Sequence, residues 1–143
     1  MERPVTDSEA AAETRRQLRF IVQNLEAAYG IPVNAHHDDP LDELIGTILS
    51  QSTTDVNSHR AFASLKRRFP DWEQARRARP ASIAAAIQSG GLANVKSVVI
   101  KTVLNEIHSR RGSLDLGFLR SLPVEDARAF LLSLKGVGPK TAA

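Results

Sequence analysis

Near the end of the chain, Gly136-Val137-Gly138-Pro139-Lys140-Thr141-Ala142 combines residue types that can do chemistry. Glycines on either side of a valine let the backbone approach a ligand where a side chain would block it. Their N–H groups, with those that open the next helix, can face an anion. A phosphate held this way positions a protein on nucleic acid without reading a base. Val137 can plug the turn into a core. The same glycines also suit an ordinary helix stop. Lys140 falls in the first turn of the helix that Pro139 opens, where the partial positive charge disfavours an ammonium. A lysine that sheds its proton can attack a sugar carbon and form a Schiff base. As an ammonium it is a phosphate contact or a solvated charge. On the residues alone, both readings stay open.

Two other stretches could act beside it. Gln51-Ser52-Thr53-Thr54-Asp55 is a polar interruption after an apolar stripe, and serves either as a reader of bases or as a cluster of helix caps. Leu92 stands on a glycine-flanked tip, Gly90-Gly91-Leu92-Ala93-Asn94-Val95-Lys96. It is either an apolar wedge that slides between bases or the contact that closes a helix. His36, His37, His59 and His108 show no metal-ligand spacing with acids, and His36-His37 reads as an exposed loop. Phe62, Phe69 and Trp72 lie on or beside helical stripes and read as core.

The elements that must position these residues all carry the helical period. A first helix is predicted over about Asp7 to Tyr29, with Leu18, Ile21, Val22 and Leu25 on one face and Gly30 as its stop. A second opens with Asp39 as cap and Pro40 at its first position, and Leu41, Leu44, Ile45, Ile48 and Leu49 form its stripe. Thr54 or Asp55 caps a third, which runs through Phe62 and Leu65 to Phe69 and stops at Pro70. Asp71 and Ser82 flank two short helices, the second ending at Gly90-Gly91. Asn94 caps a helix from Val95 to about Arg111, with Val98, Val99, Val103 and Ile107 inward and Gly112 as its stop. Two short helices follow, near Phe118 and from Val124 to Leu134. The expected class is all-α.

Composition narrows the partner. Residues 1–58 carry four Arg and no Lys against ten acids, a balance of −6, and residues 59–143 carry fifteen Lys or Arg against six acids, a balance of +9. A basic half fits a polyanion such as nucleic acid, or simply Arg-rich solvated helix faces. No apolar run approaches the roughly 20 residues that a membrane span needs. The chain has no cysteine, so it holds neither disulfides nor a cysteine-ligated metal site. A cytoplasmic location is expected.

Leu134-x-Gly136-Val137-Gly138-x-Lys140-Thr141-Ala142 resembles the helix-hairpin-helix of the endonuclease III family of DNA glycosylases. The resemblance extends to the Leu41–Leu49 helix, to Leu49-Ser50-Gln51-Ser52-Thr53-Thr54-Asp55 and to the Gly90–Lys96 stretch, and covers residues 15–143 in order and spacing. It implies the helix-hairpin-helix glycosylase fold, with the six-helix DNA-binding domain nearly complete in residues 31–143. The second hairpin helix and the iron–sulfur domain would be absent from the chain. Residues 1–30 would supply a helix that packs on that C-terminal half.

The implied function is base-excision repair of duplex DNA carrying oxidised pyrimidines or abasic sites, with the damaged nucleotide swung out of the stack. Lys140 matches the lysine that attacks the deoxyribose C1′ and then drives β-elimination. Adenine-mismatch glycosylases lack this lysine. Oxoguanine glycosylases share it but match the Ser50–Asp55 loop less well. Gly136, Val137, Gly138 and Thr141 would contact DNA at the hairpin, and Gln51, Ser52, Thr54, Asp55, Leu92, Asn94 and Lys96 from the two loops. Ser52 stands where the family usually has Gln or Asn against the orphaned base, and Gln51 lies one residue early.

The family's catalytic aspartate and its four-cysteine 4Fe-4S loop would follow Ala143, so no cofactor is expected within this chain. The full-length protein would be a monomer away from membranes, and the 143-residue piece weakly active at most. The alternative is a non-catalytic helix-hairpin-helix DNA-binding module.

Overall fold

The structure, a computed structural model, describes residues 7–31 and 37–143. They fall into two units, 1–35 and 36–143. Helix α1 (Asp7–Tyr29) makes up the described part of the first. It ends at Gly30, whose φ of +78° suits glycine and whose N–H donates to the Glu26 carbonyl at 2.8 Å. Leu18, Ile21, Val22 and Leu25 each stay about half exposed. His36, half of the expected exposed loop, lies outside the described residues.

The second unit is built on α2 (Pro40–Ser50). The Asp39 carboxylate accepts from the N–H groups of Leu41 at 2.7 Å and Asp42 at 3.2 Å, which satisfies two of the helix's free donors. Leu41, Leu44, Ile45, Ile48 and Leu49 are all buried, as their spacing predicts. Each such side chain contributes about 1.5–3 kcal/mol by leaving water. His37 departs from expectation. It is half-buried, its ring stacks on Phe62 at 4.2 Å, and its backbone N–H donates to Glu43 Oε2 at 2.9 Å.

Helix α3 (Asp55–Arg68) is capped by the Thr54 hydroxyl, and Asp55 is its first residue rather than its cap. Helix α4 (Trp72–Arg77) carries the Asp71 capping box. Trp72 Nε1 donates to Asp42 Oδ1 at 2.6 Å, which ties α4 to α2. Helix α5 (Pro80–Ala86) opens at proline, with Arg79 ahead of it and no side-chain cap, so Ser82 is inside it. It stops before the glycines, and a separate 3-10 turn, Gln88–Gly90, completes the segment.

Helix α6 (Ala93–Arg111) starts two residues earlier than expected, and its cap position is Leu92, not Asn94. Its buried face also differs, because Lys96 and Ser97 are part of it. Ile100, Val103, Leu104 and Ile107 are buried, whereas Val98 is exposed. A 3-10 turn (Gly117–Ser121), α7 (Val124–Ser133) and α8 (Pro139–Ala142) finish the chain. Among the described residues the fold is all-helical, and none of their helices is long and apolar enough to cross a membrane.

Candidate nucleic-acid interface

The hairpin joins α7 to α8 and is held from below by Leu134, Val137 and Ala142, all buried in the core. Val137 does plug the turn, and its N–H donates to the Leu134 carbonyl at 3.1 Å. Gly136 has a φ of +96°, and a Cβ there would lie 3.0 Å from Val99 Cγ1 on α6. Glycine is therefore favoured by conformation, and a Cβ there would also be tight against Val99. Gly138 differs, because its backbone is extended and a Cβ would meet open space. What glycine provides there is clearance in front of the chain.

Glu106 of α6 accepts the Lys135 N–H at 2.8 Å, and Arg110 grips Ser133 at Oγ (2.6 Å) and at its carbonyl (3.2 Å). Among the described residues, nothing accepts from the Gly136 or Gly138 N–H. Lys135 and Lys140 stand exposed on either side. Free donors between two cations suit a phosphate.

The polar turn after α2 comes directly to this hairpin. Gln51 Nε2 donates to Thr141 Oγ1 at 2.6 Å across 90 residues of sequence. Gln51 thus addresses the residue next to Lys140 rather than standing free. Ser52 is exposed with a φ of +54°, and Thr54 spends its hydroxyl oxygen on the Asn57 N–H. Asp55 is exposed in the first turn of α3. Lys140 and Thr141 line a cavity of about 450 Å³ together with Glu43, Thr47, Leu119 and Leu131.

The second loop projects Leu92 into solvent, 58% exposed, in a left-handed conformation with φ of +48°. A leucine in that conformation is strained. A Cβ on Gly91 would lie 4.0 Å from the Ser52 carbonyl, so the Leu92 and Ser52 turns are neighbours. Asn94 is exposed, and its carbonyl accepts from Ser97 Oγ at 2.9 Å.

Lys96 corrects an expectation. It is 4% exposed, and its ammonium donates to the carbonyls of Leu49 at 2.9 Å and Gly90 at 2.8 Å. Its charge faces inward, away from solvent, and burial pushes its pKa down. Sequence reasoning missed Glu106 and this inward role of Lys96, since neither partner set is marked by local spacing. Among the described residues no group of three or more His, Cys, Asp or Glu could hold a metal ion.

A hairpin with free N–H groups, a lysine at the next helix and a neighbouring apolar tip make up a helix-hairpin-helix whose geometry can hold a phosphate. The fold matches the crystal structure of a Helicobacter pylori 3-methyladenine DNA glycosylase bound to 1,N6-ethenoadenine, with a TM-score of 0.67 at 19% identity over 88% of this chain and 60% of that one. In sequence, the chain is 52% identical over 101 residues to an Arabidopsis thaliana protein that carries a provisional DNA glycosylase name, covering 71% of this chain and 34% of the relative. It is 32% identical over 114 residues to endonuclease III of Thermotoga maritima, covering 78% and 48%. DEMETER, a transcriptional activator of Arabidopsis thaliana, is 39% identical over 71 residues, half of this chain and 4% of that protein.

No family model matches. The chain has the helix-hairpin-helix DNA glycosylase fold, and its sequence homologues include a protein named as a DNA glycosylase and endonuclease III. It spans less than half the length of each of these curated relatives.

Proposed function

We propose that this chain is the DNA-gripping, lysine-bearing part of a bifunctional glycosylase that excises oxidised pyrimidines from duplex DNA and cleaves at the abasic site. The observation that carries the reading is the Gln51–Thr141 hydrogen bond, which brings the polar turn against the helix that carries Lys140. Base-reading loop and nucleophile then converge on one extruded nucleotide.

The neutral amine of Lys140 attacks C1′ of the deoxyribose. The C1′–N bond breaks and the base leaves with a proton, then the C1′–O4′ bond opens, O4′ takes a proton from solvent, and an iminium remains on Lys140. Loss of a C2′ proton expels the 3′ phosphate by β-elimination, and water releases the lysine. The hairpin N–H groups hold a neighbouring phosphate without reading a base. In related enzymes a 4Fe-4S cluster is held by four cysteines. This chain has none, so its residues do not fit that group and no step runs through it.

Borohydride reduces the iminium to a stable amine and so tests the reading. A duplex with an abasic site should yield a covalent adduct with the protein in its full reading frame, and Lys140→Ala should yield none. An adduct that survives Lys140→Ala sinks the assignment. Salt-sensitive duplex binding without any adduct would instead leave a non-catalytic helix-hairpin-helix module.

A further inference from the structure

Among the described residues, only Ser52 and Leu92 adopt a positive φ without being glycine. Each lies just past a helical end, and the carbonyls of Leu49, in the last turn of α2, and Gly90, which ends the 3-10 turn, stand shortly ahead of them. One buried ammonium holds both of them, at 2.9 Å and 2.8 Å. It belongs to Lys96, whose own backbone N–H donates to the Leu92 carbonyl at 2.9 Å. Lys96 therefore grips the base of each strained turn and, in addition, the backbone of Leu92.

The chemistry of the contact is favourable for a bridge and poor for mere filling. Carbonyls at helix C-termini carry partial negative charge and lack partners within the helix. An ammonium between two such carbonyls satisfies both, whereas a buried charge without partners is costly. A methionine would fill the same volume with no desolvation cost. It would leave both carbonyls without this donor, and only the ammonium ties them at a fixed separation.

We propose that Lys96 is a positioning residue. Its ammonium locks the Ser52 and Leu92 turns together so that both enter a duplex as one unit, at a site where a nucleotide has left the stack. The inference rests on the proposed function, because it takes damaged duplex DNA as the ligand. Lys96 itself touches no DNA and acts through Leu92 and Ser52.

The test uses a duplex with 2-aminopurine opposite a tetrahydrofuran abasic analogue, since 2-aminopurine brightens when it is unstacked. Wild-type protein should bind and brighten the probe. Lys96→Met should bind intact duplex within about twofold of wild type, while its brightening at equal occupancy falls about tenfold, within the range for residues coupled through one hydrogen-bond network. The chain has no cysteine, so Lys96→Cys can be alkylated at that position alone. Alkylated while unfolded and then refolded, the 2-aminoethyl adduct rebuilds the ammonium and should restore the brightening. The neutral 2-hydroxyethyl adduct should not.

Equal rescue by both adducts, or a Lys96→Met protein that still brightens the probe fully, would overturn the role. So would equal loss of intact-duplex binding and brightening in Lys96→Met, which would make Lys96 a residue of the fold in general. Failure of wild type to bind any duplex would strike the proposed function instead, so the two failures are distinct.

Discussion

Gly136-Val137-Gly138 and Gly90-Gly91-Leu92 each place glycines and one apolar residue immediately ahead of a helix. In the first, the apolar residue turns inward, and Val137 is 6% exposed. In the second it turns outward, and Leu92 is 58% exposed with a left-handed backbone. The difference shows how one kind of turn serves two purposes. Burying the valine fixes the hairpin backbone and presents its N–H groups, which suits a phosphate. Exposing the leucine spends backbone strain to present a side chain, which suits insertion between bases. A change that damages the hairpin should therefore cost stability and grip together, and one at the tip should cost function alone.

The largest effect is expected at Gly136. An alanine there meets both the positive φ and the Val99 methyl at 3.0 Å. The expected cost is about 2–3 kcal/mol from backbone strain plus crowding. Thermal denaturation should show the loss, and fluorescence anisotropy should show weaker binding to intact duplex. A Gly136→Ala protein that keeps wild-type stability and binding would break the comparison on its buried side. Val137→Ala removes two buried methyl groups and should cost about 1–2 kcal/mol.

Much of the scaffold behind these loops is legible from residues alone, and the reasons are local. In α2, the Asp39 cap, Pro40 and a five-residue apolar stripe all agree, so its ends and buried face follow directly. The hairpin and its lysine are legible as a motif. Helix α6 is not, because the buried part of its first turn is Lys96 and Ser97. An apolar pattern assigns such residues to the surface and so turns Val98 inward in place of Ile100. The partners that make Lys96 a core residue include a carbonyl 47 positions away. The Gln51–Thr141 bond spans 90 positions and is likewise invisible to spacing. In both cases tertiary partners decide what a polar side chain does.

The tip sharpens the comparison with a change of opposite sign. Leu92→Ala should leave stability within about 0.5 kcal/mol, as an exposed side chain does, yet reduce 2-aminopurine brightening opposite an abasic analogue. Leu92→Gly relieves about 1–2 kcal/mol of left-handed strain and loses about 0.4–1 kcal/mol to the freer unfolded chain. The net is a gain of about 0.5–1 kcal/mol, readable as a higher midpoint in denaturant, in a protein whose tip carries no side chain. A Leu92→Gly protein that is destabilised would show that Leu92 serves packing, and the contrast with Val137 would collapse.

The smallest effect concerns acid stability, which both loops should leave to another part of the molecule. Glu73 on α4 pairs with Arg76 through Nε at 2.9 Å and through its terminal nitrogen, and with Arg77 Nε at 3.0 Å. The Arg76 hydrogen bonds, helped by Arg77, hold its carboxyl down from 4.5 to about 2. A folded-state pKa below the unfolded one stabilises the protein above the unfolded value. That contribution fades as pH falls from about 4.5 towards 2. Glu73→Gln should therefore flatten the stability curve across this window, with little change in duplex binding at neutral pH. If the substitution alters duplex binding at neutral pH, then α4 reaches the loops, and the division of labour between Val137 and Leu92 is not theirs alone.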